Sequence, residues 1–449
     1  METTLTIDFT RKKFGMISLG CDKNRVDSEK LLATIKERGC EIVNDIEQVN
    51  VLVINTCAFL NAARKEAIET VIECAAYKNE NLEKIVVTGC LPQKFIDETF
   101  DALTEADVFL GTQDSGKFFE ALEKSYAGER VNFVNCGDNT NSANRVLTTP
   151  QHYAYLKISD GCNNRCTYCL IPKIRGSYKS FPMEMLLKEA EELGDVSELI
   201  IVAQDITRYG IDLYGQKKLK EFLQKLTKLV NINSVRLLYC YPDMLDDELI
   251  AEVRDNPKIV KYLDIPLQHS ENAILKLMNR PAGRKEYLAL INKLKEQIHG
   301  IAIRSTFIAG FPGESEENFE GLCRFLEEAK LDNCGFFAYS REPDTPAYKL
   351  KGQIPYGIKR KRVKKLYEIQ RRISAEKLTG YVGKCLEVVC DGIDYDKSCF
   401  VGRAYFQAPE IDGVVYFNAN SAVQGEKYSV LIEKCNSYDL YGRCEDYNE

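Results

Sequence analysis

Three short apolar runs in the first third of the chain each end in a cysteine: FGMISLGC at Cys21, VLVINTC at Cys57 and KIVVTGC at Cys90. The intervals are 36 and 33 residues, about one strand–helix–strand unit each. Helical patterns lie between them, for example DSEKLLATIKERG (27–39), with an acidic start and a glycine stop. Continuous apolar strands of this kind suit a parallel sheet covered on both faces. Sites in such sheets form at the carboxyl ends of the strands, so three cysteines placed there should converge. As small buried hydrophobes they would have no reason to follow each strand at the same relative point. Cys40, Cys74 and Cys136 lack that placement and read as packing.

The 449 residues allow about three domains of about 150 residues each. No run approaches the roughly 18 apolar residues that span a bilayer. The opening METTLTIDFTRKKFG lacks the apolar stretch of a secretory signal, so a cytoplasmic protein with no membrane contact is expected. Cytosolic thiols stay reduced, and 17 patterned cysteines then point to metal or catalysis rather than disulfides. The three histidines, His152, His269 and His299, are too few for a site built mainly on imidazole. A net charge of −7 argues against a broadly basic, phosphate-clamping surface, although a local basic patch remains open.

From about residue 151 to 350 the alternation continues on a larger scale. Candidate strands are YAYLKIS (153–159), ELIIVAQD (198–205), SVRLLYCY (234–241), YLDIPLQ (262–268), IRSTFIAG (303–310) and GFFAYS (335–340), separated by helical stretches such as 184–193 and 315–330. Six β/α units predict a barrel or a partly open barrel, with chemistry at its C-terminal rim. Polar residues gather there: Gln204, Asp205, Asp243, Gln268, His269 and the GFPGE turn (310–314). Residues 357–379 read as a strongly basic helix, either a solvated connector or a surface contacting RNA or the preceding domain. Beyond it, KCLEVVCDG, CFVGRAYF, DGVVYFNA and KYSVLIEKC alternate with glycine and asparagine turns and predict a small all-β barrel, by size and pattern alone of the nucleic-acid-binding kind.

The most specific motif is Cys162-Asn-Asn-Arg-Cys166-Thr-Tyr-Cys169, on a loop just after the first barrel strand. Three thiolates at intervals of four and three residues can hold three corners of a cubane cluster and leave the fourth iron open to a small molecule. Structural zinc would need a fourth ligand, and none lies nearby. Simple electron transfer would usually need a fourth cysteine.

This spacing, with aromatic Tyr168 before the last cysteine, resembles the signature of radical S-adenosylmethionine enzymes. The resemblance implies that the open iron binds S-adenosylmethionine, and that one electron splits the sulfonium bond to give a 5′-deoxyadenosyl radical. It implies cofactor contacts from Tyr168, Gln204, Asp205, Arg304 and the turn from Gly310 to Gly313. The stretch LKISDGCNNRCTYCLIPKIRG (156–176), preceded by a three-cysteine domain and followed by a small β-barrel, is similar to the methylthiotransferases, which turn C–H into C–S–CH3. In that family the N-terminal cysteines, by position Cys21, Cys57 and Cys90, hold a second 4Fe-4S cluster that carries the sulfur. The expected fold is therefore α/β throughout its larger part. A doubly wound parallel-sheet domain (12–135) is followed by a (β/α)6-type partial barrel of the radical S-adenosylmethionine kind (148–378) and a TRAM-like all-β barrel (380–449).

Two branches of the family modify a transfer RNA adenosine or a ribosomal-protein aspartate. SLGCDKNRVDSE (18–29), YLDIPLQHSENAILKLMNRP (262–281) and RSTFIAGFPGESEENF (304–319) are similar to the protein-modifying RimO branch, except that Asp22 stands where proline is usual. The resemblance implies methylthiolation of one aspartate of small-subunit ribosomal protein twelve at its β-carbon, in the free protein or in the ribosome, with nucleic acid touched only in the latter case. An electron donor and a sulfur donor are implied as partners. No acid–base catalyst is assigned, because an unactivated C–H bond offers no acidic proton. Charge gives a separate argument. Residues 381–449 hold six lysines and arginines against twelve aspartates and glutamates, a net of −6, which suits a basic protein partner better than RNA. Asp391, Asp394 and Asp396 form a candidate acidic turn in DGIDYD. The alternatives are a transfer RNA methylthiotransferase and, outside enzymes, a ribosome-associated iron–sulfur redox sensor.

Overall fold

The cysteine-ending runs come together because their strands are in register. The computed structural model describes residues 7–137 and 144–444. Its first sheet contains β1 (Lys13–Ser18), β2 (Glu41–Ile42), β3 (Val51–Thr56), β4 (Lys84–Gly89), β5 (Val108–Leu110) and β6 (Val131–Phe133). The order is β2-β1-β3-β4-β5-β6, and every pairing is parallel. Every residue of β3 is buried, as a strand covered on both faces requires. Val51 and Val53 face the helices Asp22–Glu37 and Phe118–Tyr126, while Leu52 and Ile54 face Asn61–Ala75 and Cys90–Ala102. Cys40 and Cys74 lie in these cores as expected. Cys136 does not: it is exposed, just beyond the edge strand β6.

The second sheet contains β7 (Tyr153–Lys157), then, after a two-stranded hairpin of β8 (Ser159–Asp160) and β9 (Lys179–Ser180), β10 (Val196–Val202), β11 (Ile232–Leu237), β12 (Ile259–Asp264), β13 (Ala302–Ala309) and β14 (Asn333–Ala338). Its order, β14-β13-β12-β11-β10-β7, is sequential, parallel and open, the partial barrel that six β/α units predict. The strands after β7 begin one to three residues earlier than the apolar runs suggest and stop before the polar rim residues, which leaves Gln204 and Asp205 free of the ladder, whereas Gln268 makes an isolated parallel bridge to Phe307 of β13.

The C-terminal barrel is closed by β15 (Cys385–Asp394), β16 (Cys399–Arg403), β17 (Val415–Asn418), β18 (Lys427–Cys435) and β19 (Leu440–Cys444), in the order β15-β16-β17-β19-β18. The sequence pattern showed four of these runs. The fifth, β19, closes the ring through a parallel pairing with β17. Barrel residues Val388, Phe406 and Phe417 share one core with Tyr153, Tyr155, Ile200, Val202 and Tyr262 of the open sheet. The basic helix Tyr356–Thr379 joins the two, burying Lys359, Arg362, Leu366, Gln370, Ile373 and Leu378 and exposing its remaining basic residues except Lys377, which is half-buried on Asp332.

A buried ionic network fastens the barrel to the sheet. Glu198 on β10 pairs with Arg236 and, at 2.7 Å, with Arg403 of the barrel. Arg403 also holds Asp391 at 2.8 Å, and Asp391 meets His152 at 2.7 Å. Asp391 is thus an interface residue on β15 rather than part of a free acidic turn, and Asp394 pairs with Lys397. Three counted acids, Glu445, Asp446 and Glu449, lie outside the described residues, as do residues 1–6 of the opening segment.

Removing one partner of this network leaves a buried charge uncompensated. Arg403→Met should therefore destabilise the protein by about 3–5 kcal/mol, read as a lower thermal midpoint. Burial alone would raise the Glu198 carboxyl, but Arg236 and Arg403 outweigh it and hold it at about 2, below the ordinary 4.5. A carboxyl lowered on folding stabilises fully above its unfolded value. That contribution is lost as pH falls from about 4.5 towards 2, and a Glu198→Gln variant should lack this acid limb in its thermal midpoints.

Candidate functional site

Ser18, Asn55 and Thr88 are aligned neighbours at the ends of β1, β3 and β4, so the three following loops leave the sheet side by side. Cys21 ends up exposed, Cys57 half-buried and Cys90 buried. Gly20 adopts φ +101°, and a Cβ there would lie 2.8 Å from Cys57 Cβ, so the Cys21 loop presses directly on Cys57. Gly89 adopts φ +96°, and a Cβ there would lie 2.6 Å from the Thr56 carbonyl oxygen. Asn24 is the hub of these loops. Its Nδ2 donates to the carbonyls of Leu19 (3.1 Å) and Thr56 (3.0 Å), and its Oδ1 lies 3.9 Å from Cys90 Sγ. Burial raises the Cys57 and Cys90 thiols, Cys90 to about 11 against the opposing pull of Arg175.

The second cysteine group sits in the loop that β8 and β9 close. Gly161 adopts φ +70°, where a Cβ would lie 2.2 Å from the Ser177 carbonyl oxygen, and Cys162 N donates to Gly176 O at 3.2 Å. Backbone N–H groups of Asn164 and Ile171 point at Cys162 Sγ (3.5 Å) and Cys169 Sγ (3.4 Å). The loop is clamped from outside: Thr167 N donates to Met278 O at 3.1 Å, and Ala347 N donates to Thr167 O at 2.9 Å. Tyr168 packs against Met278, Phe311 and Tyr339. Burial raises Cys162 to about 11 and drives Cys169 up further, where Cys166 adds to the effect.

Of the expected rim residues, Gln204 and Asp205 lie beside the triplet. Asp205 accepts from Asn164 Nδ2 at 2.9 Å and from Thr207 N at 3.0 Å, tying the triplet loop to the end of β10. Gln204 Nε2 donates to Asp160 at 3.2 Å, while its Oε1, like Asn164 Oδ1, is buried and has no partner. Asp243, raised by burial, lines a cavity of about 700 Å³ with Asn163, Asn164, Arg208, Tyr241 and Arg280. Gly310 and Gly313 adopt φ +75° and +86°, and Gly310 N donates to Glu314 at 2.8 Å under Lys359 of the basic helix. His269 is fully buried against Glu314 at 3.3 Å and supports this turn from inside.

Arg304 departs from expectation. It sits three residues into β13, well before the rim, and pairs with Asp264 at 2.9 Å and with Asp412 of the barrel at 3.5 Å.

The two cysteine groups face each other across a polar seam. Arg175, six residues after Cys169, reaches Cys90 Sγ at 3.8 Å and pairs with Asp27 (2.7 Å) and Asp160 (3.0 Å); Lys157 pairs with the same two carboxylates. Tyr239, held at φ +62° at the end of β11, donates to Asp22 at 3.2 Å beneath the Lys23 ammonium. Asp22, the departure from the family pattern, is thus one of several residues of its helix that meet the opposite sheet. Asn24, Arg175 and Tyr239 lie within the stretches 18–29, 156–176 and 234–241, but no spacing marks their roles. The Gly-Cys dipeptide occurs at 20–21, 39–40, 89–90 and 161–162, each time with a left-handed glycine, so it does not by itself separate the site cysteines from core Cys40.

The donor set fits iron–sulfur clusters. Each group offers three thiols on separate backbone positions, and unpartnered buried acceptors stand beside the triplet. Among the described residues, no three His, Cys, Asp or Glu side chains close on a single-ion site. Thiolates of a cluster bind separate irons and need not close on one ion.

The sequence matches the Radical SAM superfamily over residues 156–326, the Uncharacterized protein family UPF0004 over 13–111 and the TRAM domain over 382–444. It is 44% identical over 436 residues to the ribosomal protein uS12 methylthiotransferase RimO of Thermoanaerobacter sp. (strain X514), covering 96% of this chain and 99% of that protein. It is 45% identical over 444 residues to the protein of the same name from Clostridium botulinum (strain Eklund 17B / Type B), covering 97% and 99%. The radical S-adenosylmethionine methyltransferase TsrM from Kitasatospora setae superposes with a TM-score of 0.54 at 13% identity, covering 75% of this chain and 77% of that one, a likeness of fold.

The glycines separate the two groups experimentally. A Cβ at Gly161 must displace backbone, a strain of about 1–3 kcal/mol placed next to Cys162. If each group holds a cluster, Gly161→Ala should lower the iron bound at Cys162, Cys166 and Cys169 and spare that at Cys21, Cys57 and Cys90. Gly89→Ala should do the reverse, as read by iron content and electron paramagnetic resonance (EPR) of the reduced protein.

Proposed function

This chain belongs to the RimO family of radical S-adenosylmethionine methylthiotransferases, and from that premise we propose that it methylthiolates the β-carbon of one aspartate of ribosomal protein uS12. The observation that supports this most directly is the pairing of two three-thiol groups across one seam, with Arg175 between them. Cys162, Cys166 and Cys169 would hold one 4Fe-4S cluster, and Cys21, Cys57 and Cys90 a second. When bound, the first supplies the electron that cleaves S-adenosylmethionine and the second supplies the sulfur. We keep the domain division 12–135, 148–378 and 380–449 for this reading.

The chain's own residues bind, orient and shield. The free Gln204 Oε1 and Asn164 Oδ1 offer acceptors to a cationic amino group. Asp205 fixes Asn164 against the end of β10, and Tyr168 closes the side of the triplet. The left-handed turn at Gly310 and Gly313 presents backbone without side chains in the way. Tyr239 and Asp22 join the two groups near Cys21. No side chain is asked to remove a proton from carbon. An external electron donor and a sulfur donor complete the cycle in the cytoplasm.

Anaerobically reconstituted protein should carry about eight irons, and replacing Cys162, Cys166 and Cys169 with alanine should halve that and abolish deoxyadenosine production. Replacing Cys21, Cys57 and Cys90 should leave cofactor cleavage and stop sulfur insertion. Incubation with free uS12 and with small subunits, followed by peptide mass analysis, should show the modified aspartate. Loss of a methylthioadenosine from transfer RNA in a deletion strain would assign the other branch. A cluster signal without cofactor cleavage would assign a redox sensor.

The barrel's exposed acids give a second test. Reversing Glu387, Asp396 and Glu426 to lysine should weaken association with basic uS12 at low salt and leave cofactor cleavage intact. Unchanged affinity would remove the barrel from substrate docking.

A further inference from the structure

The loop after the triplet sends one charged side chain to a thiol on the opposite sheet. Arg175 is 2% exposed, and its two terminal nitrogens have divided tasks. Nη1 is held by Asp27 at 2.7 Å and Asp160 at 3.0 Å. Nη2 lies 2.5 Å from Asn24 Oδ1 and 3.8 Å from Cys90 Sγ. The carboxylates therefore anchor the far nitrogen and leave the near one for sulfur. Asp27 belongs to the helix that Cys21 begins, and Asp160 immediately precedes the Gly161-Cys162 turn. Asp160 also orients Gln204 at 3.2 Å, so one guanidinium connects the Cys90 thiol to the rim of the partial barrel.

We infer that Arg175 is a positioning residue that sets the electronic balance of the centre held by Cys21, Cys57 and Cys90, holding its Cys90 corner by a charged hydrogen bond and raising its reduction potential. This rests on the reading that those cysteines hold a second cluster. A cluster gains negative charge on reduction, so a cation and an N–H donor at one of its sulfurs favour the reduced form. Burial keeps water from screening that charge. A lysine is a compact point charge without the planar fork, and it cannot serve Asp27, Asp160, Asn24 and Cys90 together. The inference also accounts for the carboxylates: without them a buried guanidinium would carry an uncompensated desolvation penalty.

The test uses full-length protein with Cys162, Cys166 and Cys169 changed to alanine, so that one cluster remains, and reads its midpoint by EPR-monitored redox titration together with iron content. Arg175→Gln should shift the midpoint to more negative potential, and Arg175→Lys should shift it less. Asp27→Asn, which removes a negative charge from the same network, should shift it the other way. If Arg175→Gln does not hold iron, Arg175→Lys decides by the same measure. Midpoints equal to the parent's with the parent's iron content overturn the inference. A parent that holds no iron overturns the second cluster itself, and the inference with it.

Discussion

Buried charge at the seam between the two parallel sheets is the constraint on which the site depends. The helix Asp22–Glu37 enters that seam with Asp27, Glu29 and Lys30. Asp27 meets Lys157 and Arg175, with Asp160 as the second carboxylate of that group. Glu29 meets Arg145, and Lys30 meets Glu189 at 2.8 Å, with Arg145 also touching Glu189 at 3.2 Å. Each group holds two cations and two carboxylates. Charges withdrawn from water are tolerable only when paired and hydrogen-bonded, so a displaced helix would leave several of them stranded. The helix that begins at Cys21 is thus fixed against the unit that carries the triplet.

That fixation gives meaning to the shared orientation of the two sheets. Both are parallel, and both present the carboxyl ends of their strands, where loops are free of the ladder and can carry ligands. Left-handed glycines then turn the chain sharply enough to bring a thiol back over the strand end, at Gly20, Gly89 and Gly161. The first group is assembled across three loops by Asn24, whereas the second lies within one loop that needs outside clamps at Met278 and Ala347. A site drawn from one loop is easier to read in sequence than one drawn from three.

Much of this was legible because it depends on local pattern. The strand-terminal cysteines, the triplet and the six β/α units are spacings within single segments, and the structure keeps all of them. Pairings between distant segments were not legible. Arg175 lies 85 residues from Cys90, and Tyr239 lies 217 from Asp22. Arg304 was expected at the cofactor from the family resemblance, although it is the second residue of its apolar run, and the structure pairs it early in β13 with Asp264 and with Asp412 of the barrel. Strand β19 was missed because YGRC carries little apolar signal and is defined by its partners β17 and β18. Cys136 was misread because residue type alone does not say how deeply a side chain is covered.

The acidity of the barrel shows how a charge count must be divided before it becomes an argument about partners. Three of its acids face the protein itself: Asp391 holds Arg403 and His152, Asp412 meets Tyr262 and Arg304, and Glu410 meets Arg25 and Tyr153. Their fields are spent on cations within a few ångströms and contribute little at a distance. What an approaching molecule meets is the exposed remainder, chiefly Glu387, Asp396, Glu426 and Glu433, of which Glu387 and Glu433 already lie beside Lys427 and Arg443. The exposed half of the helix Tyr356–Thr379 is basic, so the surface is divided in sign between barrel and connecting helix. A basic protein emerging from an RNA surface presents the complementary division, and that match, rather than net charge, is the electrostatic argument for a ribosomal substrate.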